Sequence, residues 1–159
     1  MRQQILKGIT MLMLVGAVAF MTAVVPANGQ SSSTSVIATV PFEFKVGDRA
    51  LPAGDYTVRT MSGTGGALAI SNQDTHRTAI RLTNTVEAAK ASNKAKLVFH
   101  RYGQTYFLSE VWSGHENTGR RLLKSKQERA MENQLAAISS KSELARNAYE
   151  TIEVVAMVR

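Results

Sequence analysis

From residue 36 onward, short runs of alternating apolar and polar side chains dominate the chain. Alternation with a period of two is typical of strands that bury one face. The first run covers residues 36–46, where Val36, Val40 and Phe44 share a face. Pro41 within it indicates an edge strand, or at least a backbone position turned outward, because proline has no amide hydrogen to donate. Further predicted strands, separated by turns rich in Gly, Pro and Asn, lie around residues 56–59, 68–70 and 78–82.

A β-hairpin is predicted between Ala95 and Trp112, around a two-residue turn at Gly103-Gln104. Both of its faces carry bulky apolar groups, which predicts a central position in the sheet. On one face the predicted pairs are Phe99–Leu108, Arg101–Tyr106 and Leu97–Glu110, and on the other they are Val98–Ser109 and His100–Phe107.

The apolar period changes to that of a helix in the last third of the chain. Ser125 followed by Glu128 matches a capping box, and apolar residues then recur at helical spacing. The predicted helical segment covers about 125–148, with a second short helix after Ser140, before a last strand near 152–158. These patterns predict a mainly β fold: one antiparallel, β-sandwich-like or barrel-like domain of about seven strands, with the helical segment before the last strand.

Residues 1–29 match a cleavable signal peptide. Arg2 and Lys7 provide the basic end, residues 9–25 carry no charge, and Ala27-Asn28-Gly29 places small side chains at the cleavage site. We therefore expect export to the periplasm or the extracellular space. The alternative is an uncleaved N-terminal helix that anchors the protein in the membrane.

After the signal peptide we expect a flexible leader at 30–35 and a single domain at 36–159. The chain has no cysteine, so packing and backbone pairing must stabilise this domain without disulfides. Loss of residues 1–29 lowers the formal net charge from +7 to +5, and this basic balance favours contact with an anionic polymer, surface or protein partner. An exported protein is not expected to bind nucleic acid.

Two runs of sequence resemble an uncharacterised family of small exported bacterial proteins abundant in Acidobacteria. They are Val-Pro-Phe-Glu-Phe-Lys-Val-Gly at 40–47 and Leu-Pro-Ala-Gly-Asp-Tyr-Thr-Val at 51–58. The segments at 97–103, 106–112 and 118–126 are also similar to that family. The resemblance implies an exported domain rich in β-structure, and it implies no catalytic or binding residue.

Catalytic and metal-binding chemistry has little support in the sequence. His76, His100 and His115 are too scattered for a ligand pair, and Glu110 has no evident acidic partner for glycosidase chemistry. No serine lies in a nucleophile motif. We therefore expect no catalytic residue, no metal and no cofactor.

The densest local feature is a group of cations around the predicted helix start. These cations suggest an anion-binding site, because backbone amides at a helix N-terminus already favour anions. The alternative interpretation is that they form a solvated helix face. A second, weaker candidate is a set of aromatic side chains on which sugars could stack. The alternative interpretation is that these side chains belong to the core. The candidate anion-binding residues are Arg120, Arg121, Lys124 and Lys126, and the aromatic ones are Tyr102, Tyr106 and Trp112.

Taken together, these features predict a non-enzymatic binding or structural protein of the cell envelope or extracellular space. It would present a rigid sheet and basic loops to its partner. The alternatives are a small exported hydrolase and a membrane-anchored envelope subunit.

Overall fold

The computed structural model describes residues 35–61, 66–89, 94–114, 116–139 and 149–159. The predicted signal peptide, the second predicted helix after Ser140 and all of the predicted leader except Ser35 lie outside the described residues. No helix in the described part of the chain is long and apolar enough to cross a membrane. The strands are β1 (Ser35–Val40), β2 (Phe44–Val46), β3 (Arg49–Leu51), β4 (Gly54–Thr60), β5 (Ala67–Asn72), β6 (Thr78–Glu87), β7 (Lys96–Tyr102), β8 (Thr105–Trp112), β9 (Thr118–Leu122), β10 (Glu150–Val155) and β11 (Met157–Val158), and the helix is α1 (Lys126–Ser139).

The fold is mainly β and antiparallel, as predicted, with the helix before the last strands. Nine of the eleven described strands follow the order β10-β7-β8-β9-β6-β5-β4-β1-β11. The other two form a short antiparallel pair, β2 with β3, and β2 also pairs in parallel with β8. The two ends of this order are consecutive in the chain. Strand β10 pairs with β7 at one end, β11 pairs with β1 at the other, and Ala156 alone separates β10 from β11. No ladder among the described residues joins β10 to β11, so the sheet is open, and the direct chain connection between its two ends gives it a barrel-like form. The predicted return of the last strand to the sheet is confirmed.

Strand β6 joins the two halves of the sheet. Its first part pairs with β5, ending at the contact of Leu82 with Ala67, and its second part pairs with β9, beginning at the contact of Thr83 with Leu122. A strand that changes partners along its length turns a corner of a barrel.

The first alternating run is not one strand. Strand β1 ends at Val40 and β2 begins at Phe44, so the expectation of a continuous strand over 36–46 is wrong. Pro41 lies in the break, where its missing amide hydrogen costs no ladder hydrogen bond. Breaks of this kind raise the number of described strands to eleven, above the seven expected.

Aromatic side chains fill one end of the barrel, where β1 ends and β8 begins; we call it the closed end. Phe42 stacks on Tyr106 with ring centroids 4.1 Å apart, and the edges of Phe42 and Phe44 each meet Phe99 at 5.2 Å. Tyr56 is buried beside them and donates to the carbonyl of Pro52 at 2.6 Å. Burial raises the pKa of Tyr56.

The β7–β8 hairpin confirms the predicted turn and its central position, because β10 and β9 flank it. A bulge at Ser109 shifts part of its register by one residue, so Leu97 faces Val111 and Val98 faces Glu110. The predicted pairs Leu97–Glu110 and Val98–Ser109 are therefore wrong. Without the bulge, Glu110 would lie on the core face, where an uncompensated charge is costly; the bulge moves it to the outer face of the sheet. The three pairs that are as predicted are Phe99–Leu108, His100–Phe107 and Arg101–Tyr106.

Helix α1 begins as its capping pattern predicts. The backbone amide of Glu128 donates to Ser125 Oγ at 3.1 Å, which satisfies one of the free amides of the first turn. Lys45 of β2 donates to the side chain of Gln127 at 3.0 Å, so the helix is tied to the closed end of the barrel.

Candidate functional site

The structure does not gather the four candidate anion-binding side chains on one surface. Arg121 lies on the outer face, where its guanidinium pairs with Glu110 at 2.7 Å. Lys124 pairs with Glu132 at 2.6 Å, and Lys126 is exposed on the first turn of α1. Arg120 alone turns toward the barrel interior, because neighbouring residues of a strand point to opposite faces.

Arg120 lines a pocket at the open end of the barrel, where β1 begins and β4 ends. The pocket has a volume of about 200 Å³, and we call it the mouth pocket. Short aliphatic side chains form its floor, while hydroxyl and charged side chains form its rim. The floor consists of Val36, Val58, Leu68 and Val111, and the rim of Thr60, Thr85, Ser113, Glu116, Thr118 and Arg120.

The Arg120 guanidinium is positioned by a neutral partner. Its Nη1 donates to Thr85 Oγ1 at 2.9 Å, across the β6–β9 pair in which these two residues face each other. Among the residues that the structure describes, no carboxylate lies within 4.0 Å of this guanidinium. Glu116 belongs to the same rim, and its carboxylate accepts a hydrogen bond from the Thr118 hydroxyl at 2.7 Å. The pocket thus combines an apolar floor with a cation that has most of its five donors available.

A second polar cluster lies on the outer face, between the sheet and α1. Glu128 is only 4% exposed; its carboxylate accepts from the Tyr102 hydroxyl at 3.5 Å and lies 3.4 Å from Nδ1 of His100. Burial, followed by the negative charge of Glu128, raises the pKa of Tyr102. We call these three residues the helix clamp, because Glu128 belongs to α1 and the other two belong to β7.

The helix clamp borders a groove of about 310 Å³ on the outer face of β7, β8 and β10. His100 lines this groove and stacks on Tyr149 with ring centroids 3.9 Å apart. The charged groups along it are paired: Lys96 with Glu153 at 2.6 Å, and Glu110 with Arg121 and with the indole nitrogen of Trp112. The groove therefore offers no free charge to a ligand from these side chains.

The three aromatic residues considered for sugar stacking lie apart. Tyr102 is buried in the helix clamp, Tyr106 stacks on Phe42 at the closed end, and Trp112 is 7% exposed with its ring against Gly119. All three are packed against other side chains or the backbone, in agreement with the alternative interpretation that they are core residues.

Histidine and carboxylate side chains form no metal site in the described ranges, where no group of three His, Asp or Glu residues is placed to hold an ion. His76 lies exposed in the turn between β5 and β6, and His115 is outside the described residues. His100 is placed beside Glu128 rather than beside another histidine.

The pocket floor could not be predicted from sequence patterns. Val36, Val58, Leu68 and Val111 come from four different strands, and each one looks like an ordinary core residue in its own run. Val36 and Val58 are partners across the β1–β4 ladder and Leu68 lies on the neighbouring β5, whereas Val111 reaches the floor from β8, which pairs with none of these strands. No family model, curated protein or solved structure matches this chain.

Proposed function

We propose that this protein is an exported, non-enzymatic binding protein of the cell envelope or extracellular space, related to the Acidobacterial family that it resembles, and that its ligand enters the mouth pocket. The observation that carries the proposal is the pairing of an apolar floor with Arg120, a guanidinium without a nearby carboxylate among the described residues. Pockets that combine apolar walls with a few polar groups are typical of ligand sites.

The closed end and the outer groove support binding less well. Rings fill the closed end, and the charges along the outer groove pair with one another. The mouth pocket, at about 200 Å³, is smaller than the roughly 300–1,000 Å³ typical of sites for drug-sized ligands. It suits a small molecule, or the end of a longer chain whose remainder lies outside.

Filling the pocket tests this proposal. Leu68→Phe places a ring on the floor, whereas Leu82→Phe adds the same ring at a position that is exposed on β6. We expect 1-hexanol, used as a probe, to shift the methyl NMR signals of Val36, Val58 and Val111 in the full chain and in Leu68→Phe to lose that response. Leu82→Phe should respond like the unmodified protein. Equal responses in both variants would exclude the mouth pocket as the site.

Export is tested separately, by sequencing the N-terminus of the protein recovered outside the cytoplasm. Cleavage after Gly29 leaves Gln30 or its cyclised form at the N-terminus. Retention of Met1 on the membrane-bound protein would instead support the anchored envelope subunit.

A small hydrolase is the second candidate, and one observation favours it. A carboxylate hydrogen-bonded to one ring nitrogen orients a histidine for general-base catalysis, and Glu128 lies 3.4 Å from Nδ1 of His100 next to the outer groove, although this nitrogen has no hydrogen-bond partner among the described residues. No hydroxyl in the described part of the chain is hydrogen-bonded to His100 as a nucleophile would be. Hydrolysis of p-nitrophenyl acetate that disappears in His100→Gln, with the fold intact, would favour this candidate.

A further inference from the structure

We infer that the mouth pocket selects short aliphatic monocarboxylates and that Arg120 binds their carboxylate group. This inference rests on the proposed function, because it names the ligand class of the same pocket. Its one physical basis is the juxtaposition of a guanidinium and a floor of four aliphatic side chains in a pocket open at one end.

Charge is the first step of the argument. Arg121 and Lys124 are compensated by Glu110 and Glu132, whereas Arg120 is held by the neutral Thr85 hydroxyl. A guanidinium presents a planar set of donors that matches the two oxygens of a carboxylate. The bond to Thr85 orients this group and leaves further donors available to a ligand.

The floor sets the second requirement, an apolar tail. Val58 and Leu68 are buried in the barrel wall and line the pocket together with Val36 and Val111. A volume of about 200 Å³, taken at roughly 30 Å³ for each water-sized unit, holds roughly seven such units. A six-carbon acid such as hexanoate is close to this size.

Glu116 sets the third requirement, that the ligand carry only one negative charge. Its carboxylate stands on the same rim as Arg120 and is exposed. A ligand with a second carboxylate would bring that group toward Glu116, where like charges repel. The pocket should therefore favour monocarboxylates over dicarboxylates.

The test compares hexanoate with 1-hexanol, which has the same tail and no charge, by NMR titration of the full chain. We expect hexanoate to bind at least about tenfold more tightly than 1-hexanol, the order of magnitude for a charge-assisted hydrogen bond. Arg120→Gln should remove this difference and leave the affinity for 1-hexanol unchanged, which also shows that the floor remains folded. The matched control is Arg121→Gln, which removes the neighbouring guanidinium on the other face and should change neither affinity.

Salt provides a second measurement that needs no variant. Raising the ionic strength from about 0.05 M to about 0.5 M should weaken hexanoate binding and not 1-hexanol binding, because only the former depends on charge. If both probes shift the floor methyls equally and respond alike to salt and to Arg120→Gln, the inference is wrong while the pocket remains the ligand site. If neither probe shifts those methyls, the proposed function fails with it.

Discussion

The two ends of the barrel are built from different kinds of side chain. At the closed end, Phe42, Phe44, Phe99 and Tyr106 meet ring to ring with centroids 4.1–5.2 Å apart. At the mouth, four aliphatic side chains line a pocket of about 200 Å³. The outer surfaces differ as well, since α1 is tied to the closed end through Lys45 and the helix clamp.

This contrast teaches how one barrel can combine stability with an accessible cavity. Rings have large surfaces to bury and fill the space across the barrel, so the closed end contributes strongly to the free energy of unfolding. Short aliphatic side chains cannot span that distance, so space remains between them. Substitutions at the closed end should therefore act on stability, and substitutions at the mouth should act mainly on binding.

The largest expected effect is that of Phe99→Ala. Loss of this ring removes the contacts with Phe42 and Phe44 and leaves a cavity, which should lower the free energy of unfolding by about 3–5 kcal/mol. Leu68→Ala at the mouth should cost about 2 kcal/mol, the low end for such changes, because its side chain already borders empty space. Urea denaturation of both variants measures the difference, and equal losses would contradict the contrast between the ends.

An intermediate effect is expected for Gly119→Ala, on the wall beside the mouth. A Cβ at this position would lie 2.6 Å from the Trp112 ring, so the ring or the strand must shift. We expect the free energy of unfolding to fall by about 1–3 kcal/mol, as for overpacking, in thermal or urea denaturation. Asn117→Ala, at an exposed position just before β9, is the control and should be nearly neutral.

Because of the helix clamp, the free energy of unfolding should decrease with rising pH in the alkaline range. The folded state raises the pKa of Tyr102, so the stability that its protonated form provides is complete below about pH 10, the ordinary pKa of tyrosine, and is lost as the pH rises above it. Tyr102→Phe should cost about 1 kcal/mol at neutral pH, because the hydrogen bond to Glu128 is lost.

Denaturation at several pH values between 8 and 11 tests the clamp. The loss of stability above pH 10 should be smaller in Tyr102→Phe than in the unmodified protein. Part of it should remain, since burial also raises the pKa of Tyr56. An identical alkaline profile in the variant would show that Tyr102 does not contribute.

The smallest expected effect belongs to Glu116→Gln at the rim. Removing this exposed carboxylate should tighten hexanoate binding by about two- to threefold, within the range for exposed charge pairs, without changing 1-hexanol binding. Titration by NMR or calorimetry measures both affinities. Unchanged hexanoate binding would place the anion away from Glu116, and weaker binding would contradict the expected repulsion.

Local patterns in the sequence were sufficient for features that depend on neighbouring residues. The turn at Gly103-Gln104 and the cap at Ser125 are where the sequence predicts them, because backbone preferences and short-range hydrogen bonds decide both. The mainly β, antiparallel character follows in the same way from the alternation of apolar and polar residues.

The tertiary structure alone decided what depends on distant parts of the chain. The bulge at Ser109 keeps Glu110 on the outer face of the sheet, and a period-two pattern does not show which residue is skipped. Arg120 and Arg121 are adjacent in a basic run, yet the strand sends one into the mouth pocket and the other to Glu110. The pocket itself arises where β8 approaches the neighbouring strands β1, β4 and β5, since only the tertiary fold brings Val111 beside Val36, Val58 and Leu68.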